Sequence, residues 1–218
     1  MTRKIGEKAQ GRASRPAPTQ REAGRGRIPA RGASAGADEQ LILVNERNRA
    51  TGVAGKTAVH RAGLLHRAFS IFVVDERGRI VVQQRSAKKY HSGGLWANSC
   101  CGHPRPGERT VSAAHRRLAE ELGLTGTLSF GFFARYQAEL GNGMHENEYV
   151  YVYFGRLSSQ PKPDPDEVAD IAHLSCDDIS RRIRREPDAF TFWFKHYFRN
   201  HGAEIARLAQ RTSRPPTP

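Results

Sequence analysis

The sequence predicts an α+β fold, a sheet layered with a small number of helices. Three observations carry this. Runs rich in β-branched and aromatic residues recur along the chain, among them AFSIFVV at Ala68–Val74, RIVVQQ at Arg79–Gln84 and EYVYVYFG at Glu148–Gly155, and such runs suit a pleated surface. Helical segments are few and do not alternate regularly with the strands, which argues against a doubly wound sheet. The apolar fraction of 38%, beside 21 glycines, is that of a globular chain, and 218 residues suffice for one core without disulfide or metal staples.

Residues 1–39 are read as a basic tail. Nine Lys or Arg stand in residues 1–37 against Glu7 and Glu22, and Gly, Ala, Pro and Ser fill most of the rest. A segment so poor in large apolar side chains cannot bury enough surface to offset its ordering entropy, so disorder is expected there. The organised domain is expected over residues 40–205, followed by a C-terminal tail at 206–218 that ends in the Pro-rich Arg214–Pro218.

Within the domain, Leu41–Val44 reads as a strand entering a turn at Asn45-Glu46-Arg47. Ala68–Val74 and Arg79–Gln84 flank Asp75-Glu76-Arg77-Gly78, a hairpin pattern with a glycine in its loop. A Gly-rich polar connection follows, Arg85 to Gly107, and a connection of that length inside a compact domain is usually functional. Val111, Ala114, Leu118 and Leu122 recur at helical spacing, predicting a helix over Thr110–Leu122 with Gly123 as its left-handed cap. Strands are predicted at Leu128–Gln137 and Glu148–Gly155 around a Gly141-Asn142-Gly143 turn. Pro161–Pro165 is a loop, and helices are predicted at Cys176–Arg185 and Pro187–Gln210.

Composition excludes several classes of function. No apolar run approaches the roughly 18 residues of a membrane span, and no apolar stretch follows the basic N-terminus as a secretory signal would require. Three cysteines, Cys100 and Cys101 adjacent, make a poor disulfide framework and fit a reducing cytoplasm. Their adjacency also argues against a structural zinc module, whose cysteines are spaced. The formal net charge of +13 suits an anionic partner. A nucleic-acid reading would rest on the tail and on Arg181, Arg182, Arg184 and Arg185, but that cluster is better read as a solvated helix face, so no specific nucleic-acid partner is expected.

Gly102 to Leu124 reads G-x5-E-x7-R-R-L-x-E-E-L-G-L, with Glu108, Arg116, Arg117, Leu118, Glu120, Glu121 and Gly123 at the fixed places. The pattern resembles the Nudix box, whose carboxylates hold divalent cations against a diphosphate, and it implies a Nudix-like α/β/α sandwich with a mixed sheet. One position departs: Arg117 stands where the box has a glutamate. A cation among those carboxylates weakens multi-metal binding by direct repulsion. The scaffold is kept while its hydrolytic metal cluster is impaired. Hydrolysis of a diphosphate by a Nudix enzyme is the alternative reading that Arg117 opposes.

Around the box lie residues a bland domain would not need. Glu146 and Glu148, two apart in MHENE, fall on one face of an extended segment and can converge on a cation. With His60, His66 and His103 they make a nitrogen–oxygen set suited to a first-row divalent metal. Together with LWANSCCGHP these features resemble the type I isopentenyl-diphosphate isomerases, which are Nudix-like in fold. The matching stretches are RSAKKYHSGGLWANSCCGHP (Arg85–Pro104), the altered box, HENEYV (His145–Val150) and DAFTFWF (Asp188–Phe194), and the match spans about Gln40 to His201.

The resemblance implies roles position by position. The cysteine before Gly-His-Pro, Cys101 rather than Cys100, and the second glutamate of Glu-Asn-Glu, Glu148, are the catalytic pair. His60, His66, His103, Glu146 and Glu148 hold one divalent metal (Mn2+, Mg2+ or Zn2+), and Glu121 is linked to a Mg2+ that accompanies the substrate diphosphate. Lys56, Arg85 and Lys89 bind the diphosphate, Trp193 faces the reacting carbons and Tyr136 puts a hydroxyl near them. Phe192 departs from the family pattern, which has proline before the tryptophan.

The implied reaction interconverts isopentenyl and dimethylallyl diphosphate, for isoprenoid synthesis. A proton is added at one carbon and another is removed two carbons away, through a carbocation-like state that an indole face stabilises. The implied partner is a small diphosphate; the chain is compatible with a monomer or a homodimer.

Overall fold

The computed structural model describes residues 38–214. The tail expected over residues 1–39 lies outside them except for Asp38 and Glu39. Those two belong to the folded unit, which begins at Asp38. Asp38 accepts from the Thr57 backbone N–H and Glu39 pairs with Lys56, so the tail boundary is corrected by two residues.

The chain runs β1 (Gln40–Val44), β2 (Ala50–Gly55), α1 (Lys56–Ala62), β3 (His66–Val74), β4 (Ile80–Arg85), β5 (Trp96–Ala97), β6 (Cys100–Gly102) and α2 (Thr110–Leu122). It continues through β7 (Leu128–Gly141), β8 (Met144–Arg156), β9 (Val168–Leu174), α3 (Cys176–Arg185), a 3-10 turn at Pro187–Ala189 and α4 (Phe192–Ser213). Strand β3 is the hub. Along one side it pairs in parallel with β8, from His66↔Glu148 to Val74↔Arg156. Along the other it meets β1, β6 and β4 in turn, all antiparallel. Eight of its nine residues are buried, as expected of a strand covered on both faces.

The sheet is mixed and its two faces carry separate cores. Phe72, Val152 and Phe154 pack toward Phe194, Tyr197 and Leu208 of α4. Ile71, Val73 and Tyr153 pack toward Ala114, Leu118 and Leu122 of α2. Alternate residues of one strand serve opposite layers because side chains alternate with period two. This is the expected α+β sandwich.

Helix α2 has the predicted bounds, and Gly123 caps it at φ 63°, a left-handed geometry open to glycine. The predicted hairpin is shorter than its strands, since β3 and β4 pair only at Val73–Val81 and Val74–Ile80. Beyond those pairs β6 takes the place beside β3. The expected C-terminal tail at 206–218 is also corrected. Helix α4, expected to end at Gln210, continues through Ser213, and Ile205, Leu208 and Ala209 are buried, so burial of an apolar stripe carries the folded domain past the boundary expected at 205.

Candidate active site

Five side chains converge on the α4 face of the sheet. His60 comes from α1, His66 opens β3, His103 follows β6, and Glu146 and Glu148 stand two apart on β8. All are buried, His60 and His66 completely. His60 Nε2 lies 3.3 Å and His66 Nε2 3.9 Å from Glu146 Oε2. His66 Nε2 is 3.6 Å and His103 Nε2 3.0 Å from Glu148 Oε1. The ligand atoms of His60, His66 and His103 lie within 4.8 Å of one another, as do those of His66, Glu146 and Glu148.

The outward nitrogens define the chemistry of this cluster. His60 Nδ1 faces the Lys56 carbonyl at 2.7 Å and His66 Nδ1 the Leu64 carbonyl at 2.8 Å. A carbonyl only accepts, so each Nδ1 carries the proton and each Nε2 turns a lone pair inward. His60 Nε2, His66 Nε2 and Glu146 Oε2 are buried without a hydrogen-bond partner. Orphaned buried polar atoms are costly, and these three face one another; the donor set fits a divalent cation. Electrostatics divides the two carboxylates. Burial drives both upward, and for Glu146 the neighbouring Glu148 charge adds to it, leaving Glu146 raised. For Glu148, the hydrogen bond with His103 leads the effects that outweigh burial and hold it well below the usual carboxylate range.

Cys101 borders a cavity of about 230 Å³ that His103, Glu146 and Glu148 also line. Sheet alternation separates the adjacent cysteines: Cys100 packs in the α2 core at 0% exposure, whereas Cys101 packs on the α4 side. Cys101 Sγ lies 3.3 Å from Ser70 Oγ and 3.2 Å from Asn98 Oδ1. Burial pushes its thiol up to about 12, against the lowering effect of those two partners. Asn98 Oδ1 also accepts from Trp193 Nε1 at 3.2 Å, and Tyr136 donates to Glu148 Oε2 at 2.5 Å. Phe192 opens α4 and is 39% exposed while Trp193 is buried. The first helical position favours proline but does not need it, because its N–H has no helical partner in any case.

The cations border this cavity as well. Lys56 Nζ is 2.9 Å from Glu39 Oε2. Lys89 pairs with Glu167, and burial lowers it to about 8. Arg85 donates to the His91 carbonyl at 3.3 Å and stacks 5.2 Å from the Trp193 ring centroid. Arg117 of the altered box binds Glu121, Glu120 at 2.7 Å and Glu167 at 3.1 Å. Glu121 stands apart from the histidine cluster, held by Arg117 and by Gln83 at 3.3 Å.

The structure thus gathers every site residue singled out from the sequence around one cavity or the cluster beside it. It adds Glu39, Ser70, His91, Asn98 and Glu167. His91 and Asn98 lie within the Gly-rich connection whose length marked it as functional; Ser70, in the middle of an apolar strand, carries no such sign.

The NUDIX domain family matches residues 64–194. Isopentenyl-diphosphate Delta-isomerase of Pectobacterium atrosepticum is 45% identical over 73% of this chain and 89% of its own length. Isopentenyl-diphosphate Delta-isomerase 2 of Photorhabdus laumondii is 47% identical over 72% and 89%. Among solved structures, DR0079 from Deinococcus radiodurans shares the fold, with a TM-score of 0.60 at 20% identity over 81% of this chain and all of its own. The identity and coverage of the curated relatives, joined to the NUDIX match, make this chain a member of the isopentenyl-diphosphate Delta-isomerase family of NUDIX-domain proteins.

Proposed function

We infer that this enzyme interconverts isopentenyl diphosphate and dimethylallyl diphosphate. A proton joins the terminal methylene carbon of the homoallylic substrate and another leaves the carbon two positions away. The double bond moves one place and no atom is lost. Cys101 and Glu148 are the proton-transfer pair, and their placement on one cavity is the observation that carries the reading. Their resting states are complementary. Burial keeps the thiol protonated, with its value pushed up to about 12, while the hydrogen bond with His103 favours the ionised form of Glu148 against the effect of burial. One group starts as acid and the other as base.

The remaining residues bind, orient and exclude water. Lys56, Arg85 and Lys89 anchor the diphosphate and so fix the reacting carbons between the pair. The Trp193 face contributes about 2 kcal/mol to a desolvated carbocation-like state. Arg85, stacked on that ring, ties the anion site to the aromatic wall, and Tyr136 holds Glu148 through its hydroxyl. His60, His66, His103, Glu146 and Glu148 would hold a divalent cation (Mn2+, Mg2+ or Zn2+) that supplies positive charge beside Glu148. Glu121 keeps acceptor capacity after its contacts with Arg117 and Gln83, enough to meet a Mg2+ arriving with the diphosphate.

Incubation with isopentenyl diphosphate, Mg2+ and deuterated water should give dimethylallyl diphosphate carrying solvent deuterium, without phosphate release. Cys101→Ala should be inactive and Cys100→Ala active; the reverse pattern overturns the assignment.

A further inference from the structure

Three histidines of the cluster present a bare nitrogen or a carboxylate contact to its centre, and a fourth imidazole stands just outside it. His91 lies in the connection between β4 and β5, with its side chain 9% exposed. Its Nε2 is 3.5 Å from Glu146 Oε1, whereas His60 and His66 address the other oxygen, Oε2. His91 belongs to neither group of converging ligand atoms.

The partner of its second nitrogen sets it apart further. His60 and His66 place Nδ1 against carbonyl oxygens, which fixes the proton there and frees Nε2 as a lone pair. His91 places Nδ1 3.2 Å from Ser92 Oγ, a hydroxyl that is able to donate. With Ser92 donating to Nδ1, the His91 proton sits on Nε2, the nitrogen that lies 3.5 Å from Glu146 Oε1. The ring is braced in that pose: it stands edge-on to Trp193, at 6.0 Å between centroids and 81° between planes, and its own carbonyl accepts from Arg85. Long contacts of this kind tighten when a site is filled, and carboxylates that ligate metals are commonly held by such an outer donor.

We propose that His91 is a positioning residue for Glu146, donating from Nε2 to Oε1 so that Oε2 is turned toward the histidine cluster, and that it is not itself a metal ligand. This rests on the reading of that cluster as a divalent-cation site. Through Trp193 and Arg85 the same residue joins the cluster to the aromatic wall and to the anion site.

The test is cobalt(II) titration of the metal-free full chain, followed by visible absorption, on wild type, His91→Phe and His91→Gln. His91→Phe keeps a ring against Trp193 but has no donor, and its affinity should fall about 10- to 100-fold. His91→Gln keeps an N–H donor and should recover most of that loss. The saturated cobalt spectrum should be the same in all three, because the ligand set is unchanged. Wild-type affinity in His91→Phe, equal losses in both variants, or an altered saturated spectrum each overturns the proposal. A wild type that binds no cobalt overturns the underlying metal reading instead. Thermal unfolding of the metal-free proteins checks that the variants fold, and His91→Leu replaces His91→Phe if the latter does not.

Discussion

Ser70 sits where stability and chemistry can be separated. It is buried in the middle of β3, and its hydroxyl lies 2.9 Å from the Tyr197 hydroxyl and 3.3 Å from Cys101 Sγ. Ser70→Ala leaves the fully buried Tyr197 hydroxyl without its partner, which costs about 1–3 kcal/mol. For a domain of this size a loss of about 2 kcal/mol lowers the unfolding midpoint by roughly 4–8 °C. Adding Tyr197→Phe removes the orphaned hydroxyl, so the double variant should regain most of that midpoint. Removing both partners is nearly neutral, whereas removing one is not. Activity should not recover with it. Ser70 is one of the two side chains that counter the effect of burial on the Cys101 thiol, and a loss near 1.4 kcal/mol in the transition state is about tenfold in rate. Calorimetry and the deuterium-incorporation assay on the four proteins of the cycle measure both quantities. An unchanged midpoint in Ser70→Ala, or a double variant less stable than Ser70→Ala, would refute the reasoning.

Three further outcomes are expected. Arg117→Glu sets a fourth carboxylate against Glu120, Glu121 and Glu167, which now share that guanidinium; the metal-free protein should lose up to about 3 kcal/mol and regain it with Mg2+ in a thermal-shift titration, and a drop insensitive to Mg2+ counts against the reading of the box. Asp75 is held below its ordinary range because hydrogen bonds from His173 and from the Arg79 and Arg77 backbone outweigh burial. Its stabilisation is therefore complete above the unfolded value near about 3.9 and is lost as pH falls through the lower folded value. Asp75→Asn should flatten the dependence of the urea midpoint on pH across that acid window, and an unaltered slope there would contradict the assignment. Leu208→Ala, in the stretch of α4 beyond the expected domain boundary at 205, should cost about 2–5 kcal/mol because the side chain is 2% exposed in the core; a loss below 0.5 kcal/mol, the range of surface substitutions, would return that turn to the surface.

Legibility in the sequence followed the range of the interactions involved. Helix α2 was readable end to end, since its apolar stripe and Gly123 cap lie within its own residues. The α1 helix, seven residues long, was not read; one so short owes its stability to packing rather than to propensity. Strand β2 (ATGVAG) is mostly exposed and pairs only with β1, and β9 (VADIAHL) is held by β4. Neither has the apolar run that marks a strand, because each is stabilised by partners supplied from elsewhere in the chain. The division of α4 from the Pro187–Ala189 turn was also invisible locally, as Thr191 donates its N–H to the distant Trp96 carbonyl.

At the site, the donor types and their spacing are legible in the chain: Glu146 and Glu148 two apart, a thiol before Gly-His-Pro, and an arginine in place of a box glutamate. Alternation along a strand does not say which side faces the ligand, so the separation of Cys101 from Cys100 belongs to the pairing of β6 with β3 and the two layers around it. Tertiary structure alone assigned the carbonyls that set the tautomers of His60 and His66, the Ser70–Cys101–Asn98–Trp193 chain of contacts, and the place of His91 outside the cluster. Local pattern fixes what a side chain offers chemically; its neighbours across the sheet and helix decide where that chemistry is aimed.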